Sequence, residues 1–154
     1  MSQMPEKRKV IAVLGGRECD TATYQLAYEV GRGIAERRAV LICGGRNGVM
    51  EAACKGASEA GGLTIGVLPG EERSEANYWV TIAIPTGIGI ARNSILPRAC
   101  DAAIAIGGQY GTLSEIAYCL QIGKPVCALN SWRGIAGLIE VGSVQEALQF
   151  VFGG

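Results

Sequence analysis

An α/β protein, with one doubly wound parallel sheet flanked by helices, is the fold this sequence predicts, on three observations. Short continuous apolar runs at residues 10–14, 39–43 and 102–106 read as strands buried on both faces, as in parallel sheets. Stretches with apolar residues three or four apart follow them and read as helices. Glycine pairs, Gly15-Gly16, Gly44-Gly45 and Gly107-Gly108, stand where each run stops and the next helix is due, the short connection expected of such units.

Residues 1–9 are polar and basic, an expected flexible segment ahead of a single domain over 10–154, with no apolar run of signal-peptide length. The first strand is 10–14. A helix from Thr21 carries Tyr24, Ala27, Tyr28, Gly31, Ile34 and Ala35 on one stripe and closes at Arg37-Arg38, whose charges suit a helix C-terminus. After the second strand, 39–43, Asn47 reads as the N-cap of a helix that turns Val49, Ala53, Ala57 and Ala60 inward. Gly61-Gly62 stops it, and 63–68 is the third strand. The polar stretch 71–77 reads as a mobile, solvated loop. A strand over 78–85 leads into a helix over 91–100, which the interior Pro97 kinks or shortens. The strand 102–106, a helix over 112–122 and a strand over 125–129 follow. The capping-box pattern Ser143-Val-Gln-Glu146 opens a last helix ending near Phe152.

Composition narrows the function. Hydrophobic residues make up 49% and charged residues 18%, so the chain folds as a globule. Lys+Arg and Asp+Glu balance at 14 each, which speaks against a general nucleic-acid or membrane-surface partner. So little net charge opposes self-association weakly, and a homo-oligomer, dimer or tetramer, is expected. With no histidine and no C-x-x-C pair among six cysteines, neither a metal site nor histidine acid–base chemistry is expected. No apolar window is long enough for a membrane span, and the unpaired thiols suit a reduced cytoplasm. The G-x-G-x-x-G and G-x-x-x-x-G-K-[ST] nucleotide fingerprints are missing. Lys55 and Lys124 are poorly placed for a pyridoxal Schiff base.

A strand that ends in glycines and turns directly into a helix leaves the helix's first N–H groups unpaired at the positive dipole end, where phosphate binds. Aligned without gaps, Gly44, Gly45 and Gly48 fall on Gly107, Gly108 and Gly111, so the sequence predicts one phosphate cradle built twice, side by side. The expected ligand contacts are Gly15, Gly16, Gly44, Gly45, Arg46, Asn47, Gly87, Asn93, Gly107, Gly108, Gly111 and Thr112. Arg92 is either a surface charge or a guanidinium facing the phosphate. Glu115 is the carboxylate best placed for chemistry, yet Thr112-Leu-Ser-Glu115 also reads as a capping box, and both readings stay open. Asp101 begins the strand that ends at Gly107, roughly 20 Å away at ~3.3 Å per residue, too far to act as a second carboxylate.

These residues carry a resemblance. Cys43-Gly-Gly-Arg-Asn-Gly-Val-Met-Glu-Ala and Gly107-Gly-Gln-Tyr-Gly-Thr-Leu-Ser-Glu115 resemble the glycine motifs of the Rossmann-like superfamily that holds the LONELY GUY cytokinin-activating phosphoribohydrolases. That resemblance implies a role for Glu115 and Arg92 in cleaving the N-glycosidic bond of a nucleoside 5′-monophosphate. The chain departs from the pattern at Ile106, where the signature has proline, at Asn93, where it has lysine, and by one extra residue before Gly111. In these features it is more similar to the molybdenum cofactor carrier proteins and their bacterial relatives, which implies a bound phosphate-bearing pterin or nucleotide. No cofactor is implied as a requirement for any turnover. Binding is the favoured expectation and hydrolysis the alternative, because Asn93 removes a cation and the longer turn shifts Glu115 relative to the sugar.

Overall fold

The computed structural model describes residues 7–153. Seven strands form one sheet in which every pair is parallel: β1 (Val10–Gly15), β2 (Val40–Cys43), β3 (Thr64–Leu68), β4 (Ile82–Pro85), β5 (Ala102–Ile106), β6 (Val126–Leu129) and β7 (Ile139–Val141). Their order is β4-β3-β2-β1-β5-β6-β7. The chain steps outward from β1 to β4, then crosses back to start again at β5 on the other side of β1. The strand order therefore reverses between β1 and β5, and a crevice opens beyond their carboxyl ends. The three glycine turns follow β2, β1 and β5, which are adjacent, so all of them stand at that crevice.

Five helices cover the sheet: α1 (Thr21–Glu36), α2 (Val49–Glu59), α3 (Ile95–Ala99), α4 (Tyr110–Gln121) and α5 (Val144–Phe152). Side chains alternate along each strand, so Ile11, Val13, Ile104 and Ile106 pack with α1, α2 and α5 on one face. Ala12, Leu14, Ala103 and Ala105 pack with Leu96 of α3 and Ile116 of α4 on the other. Helices α1 and α2 approach at glycines: a Cβ at Gly31 would lie 1.9 Å from the Ala53 carbonyl oxygen, and one at Gly56 2.0 Å from that of Tyr28. Among the described residues no helix is long and apolar enough to cross a membrane.

Several expectations are corrected. Strand β4 begins at Ile82 and not at Tyr78, because Asn77 draws the chain into a turn, its side chain accepting from the Trp79 N–H at 2.9 Å and its carbonyl from Val80 at 3.2 Å. The expected helix over 91–100 divides into a 3-10 turn, Gly89–Ser94, and the short α3; Pro97 has no N–H to extend the helix through it. Helix α2 is preceded by Gly48 at φ 64°, while Asn47 points to solvent without a capping bond, and Ala60 is an exposed C-cap. The polar stretch 71–77 contains a 3-10 turn, Arg73–Glu75, and is tied down by the Arg46–Glu75 ion pair at 3.4 Å and by Asn77 Nδ2 donating to the Arg46 carbonyl at 2.7 Å. Strand β7 was not expected. Of the segment 1–9, residues 1–6 lie outside the described residues; Arg8 Nε donates to the Arg38 carbonyl at 2.9 Å and Lys9 Nζ to that of Val151 at 3.0 Å.

Candidate functional site

A cavity of about 550 Å³ fills the crevice. Gly15, Gly16, Arg17 and Glu18 wall it on the β1 side, and Gly108, Gly111, Thr112 and Glu115 on the α4 side. Arg92 and Asn93 form its floor with Met50, and Ile90 stands at its edge. Of these, Arg17, Glu18, Met50 and Ile90 were not expected from the sequence.

The α4 wall is built by two left-handed glycines. Gly107 at φ 59° and Gly108 at φ 90° turn the chain so sharply that α4 starts at Tyr110 with Gln109 as its N-cap. A Cβ on Gly108 would lie 2.1 Å from Thr112 Oγ1, so only glycine fits. The N-cap side chain makes no capping bond, and the N–H groups of Tyr110, Gly111 and Thr112 find no acceptor among the described residues. Thr112 is thus inside the helix and the expected Thr112–Glu115 capping box is not formed. Glu115 lies one turn further in, only 5% exposed and on the cavity wall.

A bracket from the end of β6 holds this turn. The Gly107 N–H donates to the Asn130 carbonyl at 3.0 Å, Ser131 Oγ to the Gly107 carbonyl at 2.5 Å, and Trp132 Nε1 to the Gln109 carbonyl at 3.1 Å. Asn130 Nδ2 continues the chain of contacts to Thr23 Oγ1 of α1 at 3.2 Å. The only hint in the sequence was a polar-aromatic triplet directly after a strand at the same sheet edge.

The start of α2 is arranged differently from the start of α4. The Val49 N–H is taken by the Gly16 carbonyl at 3.0 Å, and the Gly45 N–H by Cys43 Sγ at 3.3 Å. Gly45 packs against Gly66 and Leu68. Gly44 lies under the guanidinium of Arg92, whose Nη1 is 2.3 Å from where a Cβ would be. The space that would make the first turn an anion cradle is filled by the β1 loop and by Arg92. Gly44, Gly45, Arg46, Asn47, Gly87 and Gly107 therefore stand off the cavity wall: Arg46 is paired with Glu75, Asn47 faces solvent, Gly87 closes a turn onto the Gly70 carbonyl at 2.8 Å, and Gly107 faces Thr23.

The floor carries the unusual electrostatics. Arg92 and Asn93 are each 7% exposed. Asn93 Nδ2 donates to Ser114 Oγ at 3.3 Å and to the Gly111 carbonyl at 3.5 Å, tying the 3-10 turn to α4. Arg92 Nη1 lies 3.9 Å from Glu115 Oε2, beyond hydrogen-bond range. Burial pushes the Glu115 carboxyl up to about 8, and the pull of Arg92 recovers only part of that. At neutral pH the pair is thus a guanidinium beside a carboxylic acid. Burial lowers the pKa of Arg92 as well, with Glu115 opposing, but a guanidinium keeps its proton. Arg92 Nε is buried with no hydrogen-bond partner. A buried cation this poorly satisfied, beside open helix amides, is equipped to receive an anionic or strongly accepting ligand.

A model described as the SLOG cluster4 family matches residues 8–150, a span that includes all seven strands. An uncharacterized protein of Archaeoglobus fulgidus is 45% identical over 140 residues, covering 91% of this chain and 92% of that one. The molybdenum cofactor binding protein of the phototrophic bacterium Rippkaea orientalis superposes with a TM-score of 0.90 at 35% identity, over 96% of this chain and 97% of that one. The cytokinin riboside 5′-monophosphate phosphoribohydrolase of Mycobacterium tuberculosis is 32% identical over 123 residues, which is 74% of this chain and 66% of that protein. Both branches that the glycine motifs resemble are therefore among its relatives, and the chain belongs to the SLOG cluster4 family.

Proposed function

We propose that this protein binds a phosphate-bearing nucleotide or pterin cofactor in the crevice cavity without turning it over, in the manner of a molybdenum cofactor binding protein. One observation carries the reading: Arg92, 7% exposed, lines the cavity with a guanidinium that makes no hydrogen bond among the described residues. Such a group costs stability in the empty protein, and a ligand acceptor removes that cost. The open amides of α4 suit the phosphate, and the volume of about 550 Å³ suits a nucleotide-sized molecule. The Rippkaea orientalis relative supports a pterin over other rings. The test is mass spectrometry of what co-purifies, together with thermal unfolding in the presence of inorganic phosphate, nucleoside monophosphates and a pterin phosphate. Specific ligands raise the melting temperature in proportion to the logarithm of their concentration. A melting temperature unmoved by every probe sinks the proposal.

Hydrolysis of a nucleoside 5′-monophosphate is the second reading. It is favoured by Glu115, which at neutral pH holds a proton that it can donate to a leaving base. It requires free base and ribose 5-phosphate to appear from one of the monophosphates, and to cease on Glu115→Gln with binding retained. The same proposal takes a small molecule and not nucleic acid as partner, in the reducing cytoplasm, where the free cysteines stay thiols. It also takes self-association: Ile82 and Ile84 of the edge strand β4 are 44% and 45% exposed, and a second copy covering that face buries them. Sedimentation of Ile84→Lys as a smaller species than the wild type would bear that out.

A further inference from the structure

Two of the six free cysteines meet behind the cavity floor. Cys43 ends β2 and Cys54 stands inside α2; both are 0% exposed, and their sulfurs are 3.5 Å apart. A buried thiol is ordinarily a small hydrophobe, but this pair is polarised. Cys43 Sγ accepts from the Gly45 N–H at 3.3 Å, which leaves Cys54 as the donor between the two sulfurs. That bond holds the Cys43 thiol below its ordinary value, against its burial, and the Gly45 N–H and the charge of Arg92 act in the same direction. The same bond and burial push Cys54 up. Cys43 is therefore the nucleophile of the pair and Cys54 the thiol that follows it. On the side of the loop ahead of β4 their cover is Gly45 and the half-buried Asn77, whose N–H donates to the Gly45 carbonyl at 2.8 Å and whose side chain reaches the Cys54 thiol.

We infer that Cys43 and Cys54 form a reversible disulfide that lowers ligand affinity in the crevice, a redox regulation that rests on the binding reading above. The oxidant is hydrogen peroxide or a similarly small peroxide, little larger than the water that local opening admits. The Cys43 thiolate attacks one peroxide oxygen; the O–O bond breaks, a sulfenic acid forms, and the leaving hydroxide takes the proton that Cys43 released and departs as water. Cys54 then attacks the sulfenic sulfur, the S–O bond breaks, and the departing hydroxide carries off the Cys54 proton as a second water. Two thiols and one peroxide thus give one disulfide and two waters, with two electrons passing from sulfur to oxygen. An external thiol returns those electrons and restores the pair. The effect reaches the cavity through the next residue in the chain. Bonding closes the sulfurs from 3.5 Å to about 2.05 Å, which draws the end of β2 toward α2. Gly44 follows Cys43 directly and backs Arg92 so closely that a Cβ there would lie 2.3 Å from Nη1. A shift of Gly44 therefore moves the guanidinium that lines the cavity.

The test treats the full chain with hydrogen peroxide, alkylates the remaining thiols after denaturation and maps the peptides by mass spectrometry. The same samples are titrated calorimetrically with two probes, inorganic phosphate and GMP. The expected result is a Cys43–Cys54 link, affinity lowered about tenfold for the loss of one charged hydrogen-bonding partner, and recovery of both with dithiothreitol. Cys43→Ser keeps an acceptor for the Gly45 N–H and lacks the nucleophile, so peroxide leaves its affinity where it was. Peptides that carry both cysteines alkylated after the partly exposed Cys19 has been oxidised overturn the proposal, and this measurement needs neither a variant nor a ligand. A linked pair that binds both probes as the reduced chain does also overturns it, as does a Cys43→Ser chain that loses affinity to peroxide like the wild type; in each case the binding reading stands. If the reduced wild type binds neither phosphate nor any nucleotide or pterin phosphate, the binding reading fails and the regulation of it fails too, whatever the peptides show.

Discussion

Arg92 Nη1 and Glu115 Oε2 stand 3.9 Å apart on the floor of the cavity, too far for a hydrogen bond, and burial raises the Glu115 carboxyl to about 8 against the pull of that guanidinium. The pair is held open from both sides. Gly44 backs the guanidinium, and the turn before α4 places Glu115 one helical turn inside, where it is not drawn into capping.

A pH dependence follows, and its sign is fixed. Between its ordinary value of 4.5 and about 8, Glu115 holds a proton in the folded state that the unfolded chain has released. Stability therefore falls as pH rises through that window and loses nothing more from this group above it. Glu115→Gln cannot ionise, so its advantage in melting temperature over wild type grows from acid to alkaline pH and then levels. Parallel thermal melts across that range check this. A difference that stays constant with pH means that the carboxyl is not perturbed.

Gly44→Ala separates binding from folding. The new Cβ would lie 2.3 Å from Arg92 Nη1 and 2.8 Å from Met50 Sδ, both far ends of flexible side chains, so the cost in stability is about 1 kcal/mol. The guanidinium is pushed from its seat, and affinity for the ligand falls about tenfold, the usual scale for a displaced charged donor. Gly45→Ala is the contrast: φ is 78° and the Gly66 Cα is 3.1 Å from the added carbon, so folding itself suffers. Equal effects of the two on stability and affinity would refute the assignment of Gly44 as the backing of Arg92.

Strand β5 was legible residue for residue because Ala102–Ile106 is buried throughout, and a wholly buried strand must be wholly apolar. Strand β7 was not: Ile139 and Glu140 are exposed at the sheet edge, so its three residues carry no burial pattern. Local rules also misled where neighbours decide. The sequence holds two capping-box patterns; Ser143 Oγ accepts from the Glu146 N–H at 3.1 Å as expected, while at Thr112 two left-handed glycines let the helix begin early. Likewise the glycine turns after β2 and β5 share a spacing, yet one is plugged by the Gly16 carbonyl and the other is open. Arg17 and Trp132 gain their places only because β1 and β6 flank β5, an adjacency that a linear reading of motifs does not reveal.

Trp132→Phe tests the bracket. The indole bond to the Gln109 carbonyl is one of two there, the other coming from the Leu113 N–H at 3.0 Å, so losing it costs only about 1 kcal/mol of stability. Its larger effect is on the turn, which loses the contact fixing its extra residue, and phosphate binding weakens several-fold. In a Trp79→Phe background, the emission of Trp132 shifts on titration with phosphate. Unchanged affinity in Trp132→Phe together with silent fluorescence would show that the bracket is mere packing.

The close crossing of α1 and α2 gives a prediction about magnitude. At Gly31 an added Cβ meets the Ala53 backbone, its oxygen at 1.9 Å and its carbonyl carbon at 2.7 Å, and neither can yield without separating the helices. Gly31→Ala therefore costs about 3 kcal/mol or more, the upper range for overpacking a core. At Gly61 φ is 80° but nothing lies within 4 Å, so an alanine there suffers only the left-handed backbone penalty, roughly 1–2 kcal/mol. Urea denaturation of both variants ranks them. Since Gly31 lies far along α1 from the cavity turns, Gly31→Ala lowers stability without a matching change in ligand affinity at temperatures where it remains folded. A smaller loss at Gly31 than at Gly61 would mean that the helices have slack that this packing does not contain.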